Sequence, residues 1–188
     1  MENYILTIIT VVLTNAITLF AVWLTNKGNI KNLKIEFELK QKEAKIALLQ
    51  EKQEELYIKS KLYLDSLFFY YIPYIQVMLD KMNLEQAFKE INRQIEENTT
   101  KIDIKRINML IGIYYPEVKQ KFNEILMIRE KLNEVVSKFK KELENGIHNG
   151  ILYINEFTIN HNKLIKLTEE FEECIFNINI YKKVNKST

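Results

Sequence analysis

Few residues of this chain belong to the types that carry out chemistry, and their spacing assembles no familiar site. The two histidines, His148 and His161, lie thirteen residues apart, whereas a helical zinc site needs two ligands about three to five residues apart. One cysteine, Cys174, and two histidines supply no nucleophile–base set. The four glycines are scattered and form no phosphate-binding loop. We therefore expect no catalytic, cofactor-binding or metal-binding residue, and we predict that the protein is not an enzyme.

The charged residues favour solvated helix faces over binding sites. Glu169, Glu170, Glu172 and Glu173 form an acidic run, and runs of this spacing are usually exposed on a helix. The net charge of +2 gives no strong field for a nucleic acid, so no nucleic-acid partner is expected. Arg129 interrupts an apolar stripe, so it either pairs with a buried acid or rests its stem on the core with the guanidinium in water.

Two pairs of adjacent tyrosines are candidates for a partner surface. Aromatic side chains dominate protein-binding hot spots, although core packing is their more usual role. Adjacent residues on a helix cannot share one face, so at least some of Tyr70, Tyr71, Tyr114 and Tyr115 are expected to point outward.

The stretch that organises the chain is the uncharged run Tyr4–Leu24, YILTIITVVLTNAITLFAVWL. As a helix it would span roughly 31 Å, about the thickness of a bilayer's hydrocarbon core. No basic residue precedes it, and Ala21–Leu24 is a poor cleavage site for a signal peptidase. The run therefore predicts an uncleaved, single transmembrane helix.

The flanking charges predict the orientation of this helix. Lys27, Lys31 and Lys34 follow the run, and basic residues stay on the cytoplasmic side of a membrane. We therefore expect the N-terminus outside and the C-terminal domain in the cytoplasm, at the inner (plasma) membrane. A single cysteine agrees with a reducing compartment.

Polar residues within the run could mediate self-association. Thr7, Thr10, Thr14 and Thr18 fall on one narrow helical stripe with Asn15 beside it. They could bond to a second helix in the membrane and make a homo-oligomer. Alternatively, each threonine hydroxyl bonds the carbonyl four residues back on its own helix, which leaves the Asn15 amide harder to satisfy.

A stalk is predicted after the membrane helix. Asn26–Asn29 is expected to form a short hinge, and the next residues, to about Glu55, are good helix formers. A seven-residue apolar repeat suggests a coiled coil. The coiled coil is marginal, because Lys40 interrupts the repeat. Its apolar positions are Ile30, Leu33, Phe37, Ala44 and Ala47.

Leu62–Leu79 is nearly continuous in apolar and aromatic residues and has two interpretations. It is either the buried central helix of a bundle or a second membrane element, and Asp65 and Pro73 favour the bundle. Pro73 is expected to kink or end the helix near Ile72.

The remaining chain predicts amphipathic helices joined by short connections. These are Leu84–Ile95, a helix capped by Asp103, a long helix from Pro116 to Gly146, and a last helix from about Asn155. No strand-like alternation persists. The fold class is therefore all-α: an N-terminal transmembrane helix, a partly coiled-coil stalk and an antiparallel helical bundle.

These expectations give four segments and a function. They are an anchor (residues 1–25), a stalk (26–56), a bundle (57–182) and a flexible tail (183–188). In outline the chain resembles small anchored helical proteins encoded beside bacterial stress and phage-defence genes, and its Ile, Lys and Asn usage is typical of an AT-rich bacterial genome. We expect a non-enzymatic interaction or regulatory module that binds the membrane, an unknown protein partner and other copies of itself. The alternative is a membrane-active, pore-forming or depolarising effector.

Overall fold

A computed structural model describes residues 2–98, 102–146 and 150–185, with the side chains of residues 2–4, 6, 7, 9, 97 and 98 outside the description. No strand occurs in these residues, so the all-α prediction is confirmed. A 3-10 turn, Pro116–Val118, precedes α4. The helices are α1 Glu2–Met78, α2 Leu84–Asn98, α3 Ile104–Ile113, α4 Lys119–Glu144, α5 Ile151–Phe176 and α6 Ile180–Asn185.

The chain divides into two units, Met1–Leu48 with Val184–Thr188, and Leu49–Lys183. We call the first the N-terminal unit and the second the bundle. This division does not test the domain boundaries taken from the sequence, which stay a prediction.

In the N-terminal unit, α1 is continuous through Asn26–Asn29, where the sequence predicted a hinge. The hinge prediction is wrong, because a single helical glycine such as Gly28 costs only about 1 kcal/mol relative to alanine. Most of the large apolar side chains described along this part of α1 are exposed, although Ile46 is half-buried. The exposed ones include Ile8, Val11, Val12, Leu13, Ile17, Leu19, Phe20, Val22, Trp23, Leu24, Ile30, Leu33, Phe37 and Leu48.

Within the residues that the structure describes, no helix has a stretch both long enough and apolar enough to cross a bilayer. The predicted transmembrane helix therefore has no support from these residues. Part of Tyr4–Leu24, including the side chains of Tyr4, Leu6, Thr7 and Ile9, lies outside them. The predicted coiled coil has no support either, because its seam residues Ile30, Leu33 and Phe37 are exposed.

The bundle is built around residues 49–78 of α1, and α5 runs antiparallel to this part of α1. Three contacts establish the direction: Gln53 with Ile175, Lys61 with Glu172, and Phe68 with His161. The residue numbers increase along α1 while those of the contacting residues on α5 decrease, so the two helices run in opposite directions. The core also takes buried side chains from α2, α3 and α4, among them Ile91, Ile107, Leu110, Phe122, Leu132 and Phe139.

The Leu62–Leu79 stretch forms part of this core, as the bundle interpretation proposed. Tyr63, Leu64, Leu67, Tyr71, Tyr74 and Met78 are buried on one face of α1. Phe69 and Ile72 are exposed, so the helix is not buried on every side. Pro73 lies inside α1, which continues to Met78. The helix therefore does not end near Ile72, and the other possibility, a kink at Pro73, stays a prediction. The packing of Tyr74 and Met78 favours a continued helix although Pro73 lacks a backbone donor.

The helix ends follow local chemistry. The Asp103 carboxylate accepts a hydrogen bond of 2.9 Å from the Arg106 amide, which confirms the predicted cap. Gly146, with φ of +79°, follows the end of α4, as predicted. Pro116 starts the 3-10 turn and not α4 itself. The helix α5 begins at Ile151, before the predicted Asn155, directly after Gly150.

Candidate functional site

The threonine hydroxyls of the N-terminal unit bond within their own helix. Thr14 Oγ1 donates to the Thr10 carbonyl and Thr18 Oγ1 donates to the Thr14 carbonyl, both at 2.8 Å. Thr25 does the same toward Ala21 at 2.9 Å. The side chain of Thr7 lies outside the described residues. The hydroxyls of Thr14 and Thr18 therefore need no second helix, which is the alternative that the sequence left open.

Asn15 differs from the threonines beside it. Its side chain is exposed, and none of the described residues forms a hydrogen bond with its amide. An amide carries two N–H donors and a carbonyl acceptor. Unlike the hydroxyls of Thr14 and Thr18, the Asn15 amide therefore keeps these groups for bonds to another molecule.

The predicted topology determinants lie together just after the apolar run. Lys27, Lys31 and Lys34 are all exposed on α1. The Lys27 ammonium lies 5.1 Å from the centroid of the Trp23 ring, within range of a cation–π interaction. The C-terminal end of the uncharged run Tyr4–Leu24 therefore has an indole ring and a basic group side by side.

Two of the four tyrosines proposed for a partner surface are buried. The Tyr71 hydroxyl lies 2.8 Å from Asn133 Oδ1, and burial raises its pKa. The Tyr115 hydroxyl donates to the Leu49 carbonyl, and burial raises its pKa to about 12. Neither ring can form part of an exposed surface, because each fills the core of the bundle.

The other two tyrosines, Tyr70 and Tyr114, are half-buried. Tyr70 packs edge-on against Tyr71, with the ring centroids 5.1 Å apart. It also lines a cavity of about 310 Å³ between α1 and α2, together with Leu67, Phe69, Ile91 and Ile95. Of the four tyrosines, Tyr70 is the one that the structure places at a concave apolar surface.

Arg129 does not pair with a buried acid, and its guanidinium is only partly in water. Its side chain is partly exposed; Nη1 donates to the Tyr63 hydroxyl at 3.0 Å, and Nη2 pairs with the exposed carboxylate of Glu130. The acid is thus the next residue in the chain and not a buried one. Arg129 ties α4 to α1, a structural role.

His161 belongs to no group of possible metal ligands in the described chain. His161 is half-buried between the rings of Phe157 and Phe68, with both centroid distances 6.0 Å, and burial lowers its pKa. His148 lies outside the described residues. Among described residues, no three His, Cys, Asp or Glu side chains are grouped so that they could hold a metal ion.

One ion pair that the sequence did not indicate joins distant parts of the bundle. Arg106 meets Glu55 through two contacts, Nε to Oε1 at 2.5 Å and Nη2 to Oε2 at 2.6 Å. Lys52 approaches the same carboxylate at 3.2 Å. The hydrogen bonds from Arg106, aided by Lys52, lower the pKa of Glu55 to about 2. No local spacing could have indicated this pair, because the two residues are far apart in the chain.

A larger concave surface lies where the C-terminal end of α5 turns into α6. We call it the α5–α6 groove; it has a volume of about 760 Å³ and faces α1. Gln53 Nε2 donates to the Ile175 carbonyl at 2.6 Å and so fixes α1 against α5 at this point. The exposed side chains that form its walls are Tyr57, Ile58, Phe176 and Tyr181.

Comparison of the chain with protein-family models, with curated proteins and with solved structures finds no match.

Proposed function

We propose that this protein is a membrane-attached, self-associating helical module that recruits or regulates a partner at the cytoplasmic face of a bacterial membrane, without catalysing a reaction. The observation that supports it most is the exposure of successive large apolar side chains along the N-terminal part of α1. An exposed apolar surface of this extent is typical of a membrane or protein interaction site.

Membrane attachment is supported by sequence and exposure together. Tyr4–Leu24 has no charged residue, and its described apolar side chains, such as Val12, Ile17 and Phe20, are exposed. At the centre of a membrane helix each such residue contributes about −0.3 to −0.6 kcal/mol to insertion. Lys27, Lys31 and Lys34 favour a cytoplasmic position for the residues that follow.

Self-association is supported by Asn15. In hydrocarbon an amide without a partner is costly, and a matching amide on a second copy of the helix supplies both a donor and an acceptor. The hydroxyls of Thr14 and Thr18 are already bonded to their own helix. Asn15 is therefore the proposed contact between copies, in preference to Thr14 and Thr18.

The burial of the Leu62–Leu79 stretch weighs against the alternative effector. Tyr71 and Tyr74 of this stretch are buried in the bundle. The effector would have to release them from the core to bring the stretch into the membrane, whereas the interaction module needs no such release.

Fractionation of cells that express the full-length chain tests the proposal. The wild type is expected in the membrane pellet after a carbonate wash, and solubilised by detergent. A Val12→Lys, Ile17→Lys double variant is expected to move to the supernatant, because each lysine opposes insertion by about 2.5–3.5 kcal/mol at the helix centre.

The matched control is Ile113→Lys, which changes an exposed isoleucine of the bundle in the same way and should stay in the pellet. Wild-type protein in the carbonate supernatant would overturn membrane attachment. Loss of membrane potential on expression, reported by a potential-sensitive dye, would favour the depolarising effector instead.

A further inference from the structure

The α5–α6 groove has the dimensions of a small-molecule site. Its volume of about 760 Å³ lies within the range of about 300–1,000 Å³ that is usual for ligand pockets. Its floor includes the buried side chains of Ile175 and Ile180. The hydrogen bond from Gln53 to the Ile175 carbonyl holds two of its walls together without a ligand, so the groove is formed in advance.

The walls expose aromatic and apolar surface that nothing in the bundle covers. Phe176 is 81% exposed, Tyr181 62%, Ile58 58% and Tyr57 38%. Three of these four side chains are aromatic, and aromatic faces attract cations through the ring quadrupole. The protein uses this interaction elsewhere: the Lys140 ammonium lies 4.7 Å from the Tyr74 ring and 5.0 Å from the Phe88 ring.

The charge of the groove has one sign. Of the described residues that line it, Glu54 alone is charged, and it forms no ion pair with any residue that the structure describes. Lys52, two residues away, does not neutralise it, because its ammonium is held by Glu51 at 2.7 Å and by Glu55 at 3.2 Å. An exposed carboxylate therefore stands beside the aromatic walls with its charge uncompensated.

A polar group that can accept a hydrogen bond from an ammonium also lines the groove. It is the side-chain amide of Gln50, whose oxygen is an acceptor. The side-chain oxygen of Asn179 already accepts a hydrogen bond of 2.8 Å from the Lys182 amide. A few polar groups among apolar walls are characteristic of sites that bind a specific small molecule.

We propose that the α5–α6 groove binds a small organic cation that carries an apolar group, such as an aryl or alkyl ammonium. The ammonium lies against Glu54 and the faces of Tyr57 and Tyr181, and the apolar group rests on Ile58 and Phe176. The groove excludes organic anions, because its one charge is negative. This ligand site is independent of membrane attachment and of self-association.

Three probes that share one ring test the proposal: benzyltrimethylammonium, benzyl alcohol and benzoate. The full-length chain is reconstituted in nanodiscs of an uncharged glycolipid, and dissociation constants are measured by ligand-observed NMR against empty nanodiscs. If the chain purifies without detergent, the same titration is run in buffer. The ammonium is expected to bind about tenfold more tightly than the alcohol, and benzoate more weakly than both.

Variants separate charge from apolar contact. Glu54→Gln is expected to remove the preference for the ammonium over the alcohol, and Tyr181→Ala to weaken both probes. Ile58→Lys places a positive charge in the groove at an exposed position and should abolish ammonium binding. Glu134→Gln, which removes an exposed carboxylate from α4, is the matched control and should change nothing.

Equal affinity of the wild type for the ammonium and the alcohol would overturn the proposal, because it would leave a groove that selects only for apolar surface. So would an equal loss of binding in Glu54→Gln and Glu134→Gln, since the effect would then come from net charge. Circular dichroism and melting curves that match the wild type establish that each variant is folded.

Discussion

At the scale of single residues, Asn15 and Thr14 are neighbours with different hydrogen-bonding needs. Thr14 bonds the Thr10 carbonyl at 2.8 Å, whereas the amide of Asn15 finds no partner among the described residues. Their similar polarity in the sequence does not show this difference. The two residues therefore give a matched test of self-association.

We predict that Asn15→Leu weakens self-association of the full-length chain in bilayers by about threefold to thirtyfold, because an interhelical amide contact contributes about 0.6–2 kcal/mol. Thr14→Val should change it by less than about twofold, since its hydroxyl is bonded within the helix. Energy transfer between labelled copies, measured against dilution in lipid, gives both values. A larger effect at Thr14 than at Asn15 would contradict the assignment.

A second prediction at this scale concerns the Glu55–Arg106 pair. Arg106 holds the pKa of Glu55 at about 2, below its unfolded value. The stabilisation is therefore complete above the unfolded pKa of about 4.5 and is lost as the pH falls toward about 2. We expect the melting temperature of the wild type to fall more steeply across this window than that of Glu55→Gln.

At neutral pH, Glu55→Gln should cost about 1–2 kcal/mol of unfolding free energy, because the Arg106 guanidinium loses its charged acceptor. The neighbouring Glu54→Gln is the control, since Glu54 forms no ion pair within the described chain. Parallel pH profiles for the wild type and Glu55→Gln would show that the pair contributes nothing to stability.

Among the elements, the start of α5 lies against the end of α1 in a close approach. A Cβ added to Gly150 would lie 2.2 Å from the Met78 carbonyl oxygen and 2.5 Å from the Met78 Cα. Both are backbone atoms, so neither can turn aside as a flexible side chain could. The end of α1 and the start of α5 therefore pack backbone to backbone.

We predict that Gly150→Ala lowers the unfolding free energy by about 1–3 kcal/mol through overpacking. Gly112→Ala is the matched control: nothing lies within 4 Å of its added Cβ, and Gly112 is in α3. It should be neutral or stabilising by up to about 1 kcal/mol, because alanine favours helix. Chemical denaturation measures both, and equal effects would disprove the close approach.

Element ends were predictable from sequence where they depend on a few adjacent residues. The Asp103 cap and the stop at Gly146 are of this kind. The continuation of α1 through Gly28 and Pro73 could not be predicted in the same way. At each of the two positions, packing and the helix propensities of neighbouring residues outweighed the single unfavourable residue. Likewise, adjacency alone could not say that Tyr71 and Tyr115 are the inward members of their pairs.

Across the molecule, the two units differ in how far their large apolar side chains are exposed. The bundle, residues 49–183, buries its large aromatic side chains, such as Phe122, Phe157 and Phe171, around one core. In the N-terminal unit most of the described large apolar side chains of α1 are exposed, although Ile46 is half-buried. The apolar pattern of the sequence predicted both the core of the bundle and the apolar run of the N-terminal unit. It could not predict the α5–α6 groove, because the groove depends on tertiary contacts between α1, α5 and α6.

We propose that the protein is attached to the membrane with the bundle in the cytoplasm. The exposed Cys174 lies in the bundle and can report on which side of the membrane the bundle lies. It is the only cysteine of the chain, so a maleimide labels one position in the bundle. An Asn3→Cys, Cys174→Ser variant places the reporter before the apolar run instead.

The measurement is labelling by a membrane-impermeant maleimide in intact and permeabilised cells, followed by isolation of the membrane fraction. We predict that wild-type protein in this fraction is labelled at Cys174 only after permeabilisation, whereas the Asn3→Cys, Cys174→Ser variant is labelled in intact cells. Labelling of Cys174 in intact cells, or absence of the protein from the membrane fraction, would contradict the account.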